Sequence, residues 1–183
     1  MKIKTLGLVA ATSVLATMGA ANANLLFDIY GGATYGIGGY TLFSDDDHIS
    51  HSSQSYGAVL GIDIPMFRLE AEYNALDTDD ATMNLGFVNG YFKIPTPVVK
   101  PYIGAGIGYT FSSKYEPANA PHYDIDDTIA YQGMLGLTFK IPVLPFDIDA
   151  EGRVLYVPDM FSIGDTTPDL LQYDARIKLR YIF

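Results

Sequence analysis

Leu171-Gln172-Tyr173-Asp174-Ala175-Arg176-Ile177-Lys178-Leu179-Arg180-Tyr181-Ile182-Phe183 closes the chain and governs the reading of everything before it. Tyr173, Ala175, Ile177, Leu179, Tyr181 and Phe183 take one set of alternate positions, and Asp174, Arg176, Lys178 and Arg180 take the other. Successive side chains of a strand point to opposite faces, so this stretch is expected to be a strand with one apolar and one ionic face. Phe183 falls in the same alternation and is expected to belong to the strand itself.

Moving back from this strand, the same unit recurs. Alternating runs cover Phe146 to Val157, Ile129 to Lys140, Pro101 to Phe111, Met83 to Lys93, Phe67 to Ala75, Ser55 to Ile64 and Leu25 to Tyr35, which makes eight strands. The connections at Pro65-Met66, Ile94 to Val99 and Ile141 to Pro145 are short and carry proline, which cannot extend a ladder. Those at Gly36 to Gln54, Leu76 to Thr82, Ser112 to Thr128 and Pro158 to Leu170 are long and polar. Strict alternation of short and long connections is the mark of an up-and-down meander with every long loop at one end. No helical period interrupts it, so the chain is expected to be all-β, and closure into a barrel removes two exposed edges.

The first 23 residues have the make-up of a secretory signal peptide. Lys2 and Lys4 give the positive start, Leu6 to Met18 the apolar stretch, and Ala21-Asn22-Ala23 a small-x-small cleavage site. A membrane-anchoring helix is the other reading, but the apolar stretch is shorter than the roughly 20 residues a span needs. Residues 24–183 are therefore expected to form one mature barrel domain. The chain has no cysteine, which excludes disulfides and thiolate metal sites. Its net charge is −10, and without Lys2 and Lys4 it is −12, so no basic stripe is available for nucleic acid.

Alternation does not say which face points outward, because a soluble lipocalin-like barrel has the same period with the opposite sense. The aromatic residues favour lipid outside. Tyr35, Tyr56, Tyr73, Tyr109, Tyr131, Tyr156 and Tyr173 fall at the long-loop ends of the strands. Phe27, Phe67, Tyr91, Phe139, Phe146, Tyr181 and Phe183 fall near the short turns. Ten residues from Tyr173 to Phe183, tilted about 40°, rise roughly 26 Å, which matches the ~25 Å apolar band of an outer-membrane barrel. Two aromatic belts at that separation suit the two edges of a bilayer.

Charge points the same way. The four long loops hold 13 acids (Asp45, Asp46, Asp47, Asp77, Asp79, Asp80, Glu116, Asp124, Asp126, Asp127, Asp159, Asp165, Asp169) against the single base Lys114, so each loop carries −3. The remainder of the mature chain balances eight acids with eight bases, as a confined ionic interior requires. Pairing the last two strands with Phe146 beside Phe183 and Tyr156 beside Tyr173 sets Asp149 opposite Arg180 and Glu151 opposite Lys178. It also sets Arg153 beside Arg176, a repulsion that Asp174 and Glu151 would have to share. Across the Pro65 turn Asp63 meets Arg68. Gly104, Gly106 and Gly108 are expected to leave room for arginines reaching across the lumen.

With its signal, eight alternating strands, proline turns, long polar loops and terminal aromatic strand, the whole mature chain resembles the small outer-membrane barrels of the OmpA-transmembrane and opacity-protein type. The resemblance is architectural. It implies short periplasmic turns, four long extracellular loops, residence in the outer membrane beside lipid and lipopolysaccharide, and delivery by the outer-membrane insertion machinery through a signal at Tyr181 and Phe183.

Little in the chain suggests catalysis. His48, His51 and His122, with Ser50, Ser52 and Ser53 near the first two, lie in polar loops, whereas a lipid-modifying enzyme needs a rigidly placed His, Ser and carboxylate. No phosphate loop or HExxH motif is present, and no cofactor is expected. The acidic clusters 45–47, 77–80 and 124–127 lack the glycine-centred loop of a dedicated Ca²⁺ site and are read as solvated loops that bridge divalent cations loosely to lipid phosphates. Tyr40, Leu42, Phe43, Tyr115, Tyr123, Met160 and Phe161 either form an adhesive surface for host molecules or pack the loops together. The expected function is that of a non-enzymatic surface barrel with a structural and adhesive or recognition role. The alternatives are a narrow channel, a lipid-modifying outer-membrane enzyme, and a soluble periplasmic lipocalin-like binder of apolar small molecules.

Overall fold

Nine strands, every neighbouring pair antiparallel, are found in a computed structural model that describes residues 27–44, 47–78, 81–115, 123–125, 128–141, 143–158 and 169–183. They are β1 (Asp28–Ser44), β2 (Asp47–Asp63), β3 (Phe67–Thr78), β4 (Ala81–Lys93), β5 (Val99–Tyr115), β6 (Tyr123–Ile125), β7 (Ile129–Lys140), β8 (Phe146–Val157) and β9 (Asp169–Ile182). Each main strand pairs with its sequence neighbour, β9 returns to β1, and β4 pairs with β5, so the sheet closes. The three-residue β6 only extends the loop end of β5, at Ser113, Lys114 and Tyr115, so the wall is an eight-stranded barrel. Closure gives every strand a partner on both sides and leaves no sheet edge within the wall.

The sequence reading of β7 and β8 matches these bounds to the residue. The largest departure is at Gly36 to Gln54, expected as a polar loop. Here β1 and β2 run on as one hairpin that stays in register until Ser44 faces Asp47. Its glycines, serines and threonines carry little hydropathy contrast, yet backbone pairing needs none, and β9 flanks β1 as far as Phe43 opposite Asp169. Consequently Ser50, Ser52, Ser53, His48 and His51 stand on a strand and not in a loop. The signal peptide, Asp45, Asp46, Asp79, Asp80, Glu116, His122, Asp126, Asp127, Asp159, Met160, Phe161 and Asp165 lie outside the described residues.

The β8–β9 register also differs, by two residues. Phe146 faces Tyr181, Asp149 faces Lys178, Glu151 faces Arg176 and Arg153 faces Asp174. Both registers keep the apolar face outward, but only the observed one replaces the Arg153–Arg176 repulsion with an opposite-charge pair. It also brings the Phe146 and Tyr181 rings to 5.2 Å, edge to face.

The two faces of the wall are sorted without ambiguity. Leu135 is 69% exposed and Ile177 63%, while Lys178 and Arg180 beside them are fully buried. Apolar outside and ionic inside is the inverse of a soluble ligand-binding barrel, which removes the lipocalin-like alternative.

Candidate functional site: the filled lumen

The inward side chains form tiers. At the turn end Asp63 accepts from Lys93 and lies 3.7 Å from Arg68 and 3.4 Å from Arg180. Arg180 also holds Asp147 at 3.2 Å. One level up, Arg68 and Arg180 both clasp Asp149 at 2.9 Å. The Arg68 guanidinium lies 5.2–5.8 Å from the ring centres of Tyr30, Tyr91 and Tyr102, so its charge is held by aromatic faces as well as by carboxylates.

In the middle tier Glu70 receives Lys178 at 2.7 Å, Tyr30 at 2.6 Å and Tyr91 at 2.9 Å. Tyr102 donates to Glu151 at 2.9 Å. Above it Arg176 bridges Glu72, at 2.6 Å, and Glu151, while Asn89 and Gln132 donate to Glu72 at 2.7 and 3.2 Å. The last ionic tier is Arg153 clasping Asp174, with Ser55 and Gln172 donating to the same carboxylate at 2.9 and 3.1 Å. Buried charges are tolerable when every member has partners, and here the partners come from at least six strands.

All eight lumen residues expected from the sequence are thus brought together: Asp63, Arg68, Asp149, Glu151, Asp174, Arg176, Lys178 and Arg180. The network is wider than that set. Glu70 and Glu72, which follow Arg68 at the same parity and were counted among the eight interior acids, belong to it. Lys93 and Arg153, counted among the interior bases, belong to it as well, whereas the amides Asn89 and Gln132 were missed and could not have been assigned without knowing which strands face each other across the lumen.

Tyr91 requires a correction. It was expected in the outer turn-side belt, but it is 3% exposed and points inward. Asn89 and Lys93 share its face, and Phe92, which stacks on Phe67 at 5.6 Å, takes the belt position instead. The glycine assignment changes with it. Tyr91, Asn89 and Phe87 stand opposite Gly104, Gly106 and Gly108, and a Cβ on any of the three would strike that partner side chain. These glycines make room for the large groups of β4. The arginines instead lie over β1, where Gly32 faces Arg180 and Gly36 faces Arg176.

Sequence reasoning missed a whole compartment. Above the ionic tiers Tyr40, Leu76, Met83, Leu85, Phe87, Ala130, Leu155, Val157 and Leu170 form one buried apolar cluster that caps the lumen at the loop end. Leu155 and Val157 continue the inward face of Arg153, so the change from charge to oil was written along β8 itself.

Outside, Tyr35, Tyr56, Tyr73, Tyr109, Tyr131, Tyr156 and Tyr173 are all exposed. Tyr73 donates to Asn84 at 2.7 Å and Tyr156 to Asp169 at 2.7 Å. Phe67, Phe139 and Tyr181 are exposed near the turns, and Phe27, Phe146 and Phe183 are half-buried there, with Tyr181 packed edge to face on both Phe146 and Phe183. Ser53, a candidate nucleophile by sequence, turns inward and accepts from Gln172 at 3.4 Å.

No protein-family model matches the sequence, and no curated protein matches it. Solved structures do. Neisserial surface protein A (NspA) superposes with a TM-score of 0.64 at 17% identity, over 85% of this chain and 97% of that one. The N-terminal β-barrel domain of Pseudomonas aeruginosa OprF superposes with a TM-score of 0.53 at 14% identity, over 84% and 99%. At such identities the likeness is one of fold. The chain therefore has the fold of the eight-stranded outer-membrane β-barrels, and its apolar outer face is the lipid-facing surface of such a protein.

Proposed function

We propose that this protein is a non-enzymatic structural component of the bacterial outer membrane that displays its β1–β2 hairpin and acidic loops at the cell surface for recognition. One observation supports the structural role above the others. The lumen is filled by the barrel's own side chains, from the Asp63 tier through Arg153–Asp174 to the apolar cap. A lumen filled in this way opposes the passage of a hydrated ion, and an apolar cap opposes a charge at one end of the path.

Planar-bilayer recording of the folded protein is the test. A flat current trace is expected, and steady unitary conductance would replace this reading with that of a channel. The recognition role is supported by the hairpin, whose strands continue nine residues past the belt tyrosine Tyr35 before Ser44 meets Asp47. Replacing residues 41–50 by a two-residue turn, which keeps Tyr40 in the cap, should leave the barrel folded and abolish binding of cells to their target surface. Unchanged lipid A mass spectra in a strain lacking the gene are expected if the protein carries out no lipid chemistry.

A further inference from the structure

Above the wall the sheet does not stay closed. The β1–β2 ladder runs on to Ser44 opposite Asp47, and β9 covers the other side of β1 as far as Phe43. The β2–β3 ladder ends sooner, at Ser53 opposite Thr78, because β3 turns back into β4 with Asp77 already facing Thr82. Residues 47–52 of β2 therefore have a neighbour on one side only, and none of the described residues pairs with the other side. They stand four to nine residues beyond the belt residue Tyr56, on the aqueous side of the belt.

An edge of this length spans about 20 Å and turns the N–H and C=O of every second residue outward, about three residues in all. Sheets ordinarily guard such an edge with lysine, proline or a bulge. Asp47-His48-Ile49-Ser50-His51-Ser52 has neither lysine nor proline, and its register with β1 is unbroken. The edge is open to another strand.

Charge and symmetry define that strand. Asp47 begins the edge, and Asp77, which is exposed and faces Gln54, lies just below its other end. Asp45, Asp46, Asp79 and Asp80 adjoin them in sequence, and neither 36–54 nor 76–82 contains a lysine or arginine. A second copy does not fit. Two identical edges pair symmetrically only with their strands antiparallel, whereas two copies in one membrane point their hairpins the same way. Copies in facing membranes would bring acid against acid.

We propose that the free edge of β2 takes up a strand from another protein. That strand is an extended segment of about six residues with lysine or arginine at both ends, added to the sheet by backbone hydrogen bonds while its bases meet Asp47 and Asp77. The inference rests on the recognition role given to the hairpin and names the class of partner.

The probe is a fluorescent peptide of alternating threonine and valine between paired lysines, added to the full protein folded in zwitterionic detergent micelles. Its anisotropy should rise on binding, and hydrogen exchange should slow at every second backbone amide of 47–52. N-methylation along one edge of the peptide should change affinity by no more than about twofold, because its other edge still serves. Methylation along both edges should weaken it at least about tenfold, since about three hydrogen bonds are lost. Asp47→Asn combined with Asp77→Asn should weaken binding several-fold, and a peptide with glutamates in place of its lysines should not bind. Affinity indifferent to methylation on both edges would mean a purely ionic contact and would overturn strand addition, as would protection confined to residues outside 47–52. Affinity unchanged by the two Asn substitutions would overturn the charge assignment. No peptide binding, with cell binding still lost on shortening the hairpin, would overturn this inference and leave the recognition role standing.

Discussion

The lumen is two solvents stacked end to end. From the turns to the Arg153–Asp174 pair it is filled by charges in mutual contact, and from there to the loops it is filled by Leu, Met, Val and aromatic side chains. Both parts are equally buried, but they fail differently. Each ionic group is held by the sign and position of its partners, so removing one strands the others. Each apolar group is held by volume, so removing one leaves a hole whose neighbours partly relax. An interior can therefore be buried throughout and still be specified by charge at one end and by volume at the other.

The largest effect should come from Arg176→Met. It deprives Glu72 and Glu151 of their shared cation at full burial and should cost about 3–5 kcal/mol, read as a fall in the urea midpoint of unfolding from detergent micelles. In the apolar part, Leu155→Ala should cost ~2–4 kcal/mol by the same assay. If Leu155→Ala proves as damaging as Arg176→Met, the contrast between the two parts is wrong. The exchange Arg153→Asp with Asp174→Arg sharpens it further. Each single change should destabilise strongly, and the double should recover much of the loss because the residues face each other. No recovery would favour the register slipped by two residues.

Gly106→Leu should cost about 1–3 kcal/mol, because its side chain displaces Asn89 from Glu72 and Gln132. A neutral outcome would mean that β4 and β5 can part without loss. The smallest effect belongs outside. Tyr35→Phe removes only an exposed 3.4 Å contact to Gln54 and should change the unfolding midpoint by no more than ~0.5 kcal/mol equivalent.

These differences also explain what could be read in advance. The strands β7, β8 and β9 were legible because apolar and charged residues alternate there at high contrast. The β1–β2 extension was not, because Gly38, Gly39, Thr41 and Ser50 to Ser53 look the same on both faces. Tyr91 was misplaced because an aromatic residue with a hydroxyl suits both a lipid belt and a carboxylate-lined lumen, and only its neighbours Asn89 and Lys93 name the side. A two-residue slip preserves inside and outside, so hydropathy was silent on the β8–β9 register, and only the Arg153–Arg176 repulsion argued against the wrong choice. The apolar cap escaped notice for a related reason. Its members come from strands far apart in sequence, and none is unusual alone.

The pairing of β1 with β9 has a consequence for how the molecule is made. It joins the first described strand to the last, from Tyr30 beside Ile182 to Phe43 beside Asp169. Arg176, Lys178 and Arg180, which neutralise carboxylates on β2, β3 and β8, therefore emerge from the ribosome after every acid they serve. Until that final strand is in place the interior carries an uncompensated negative charge and stays wet. Water leaves the lumen in the same step that closes the ring, so closure and drying are one event.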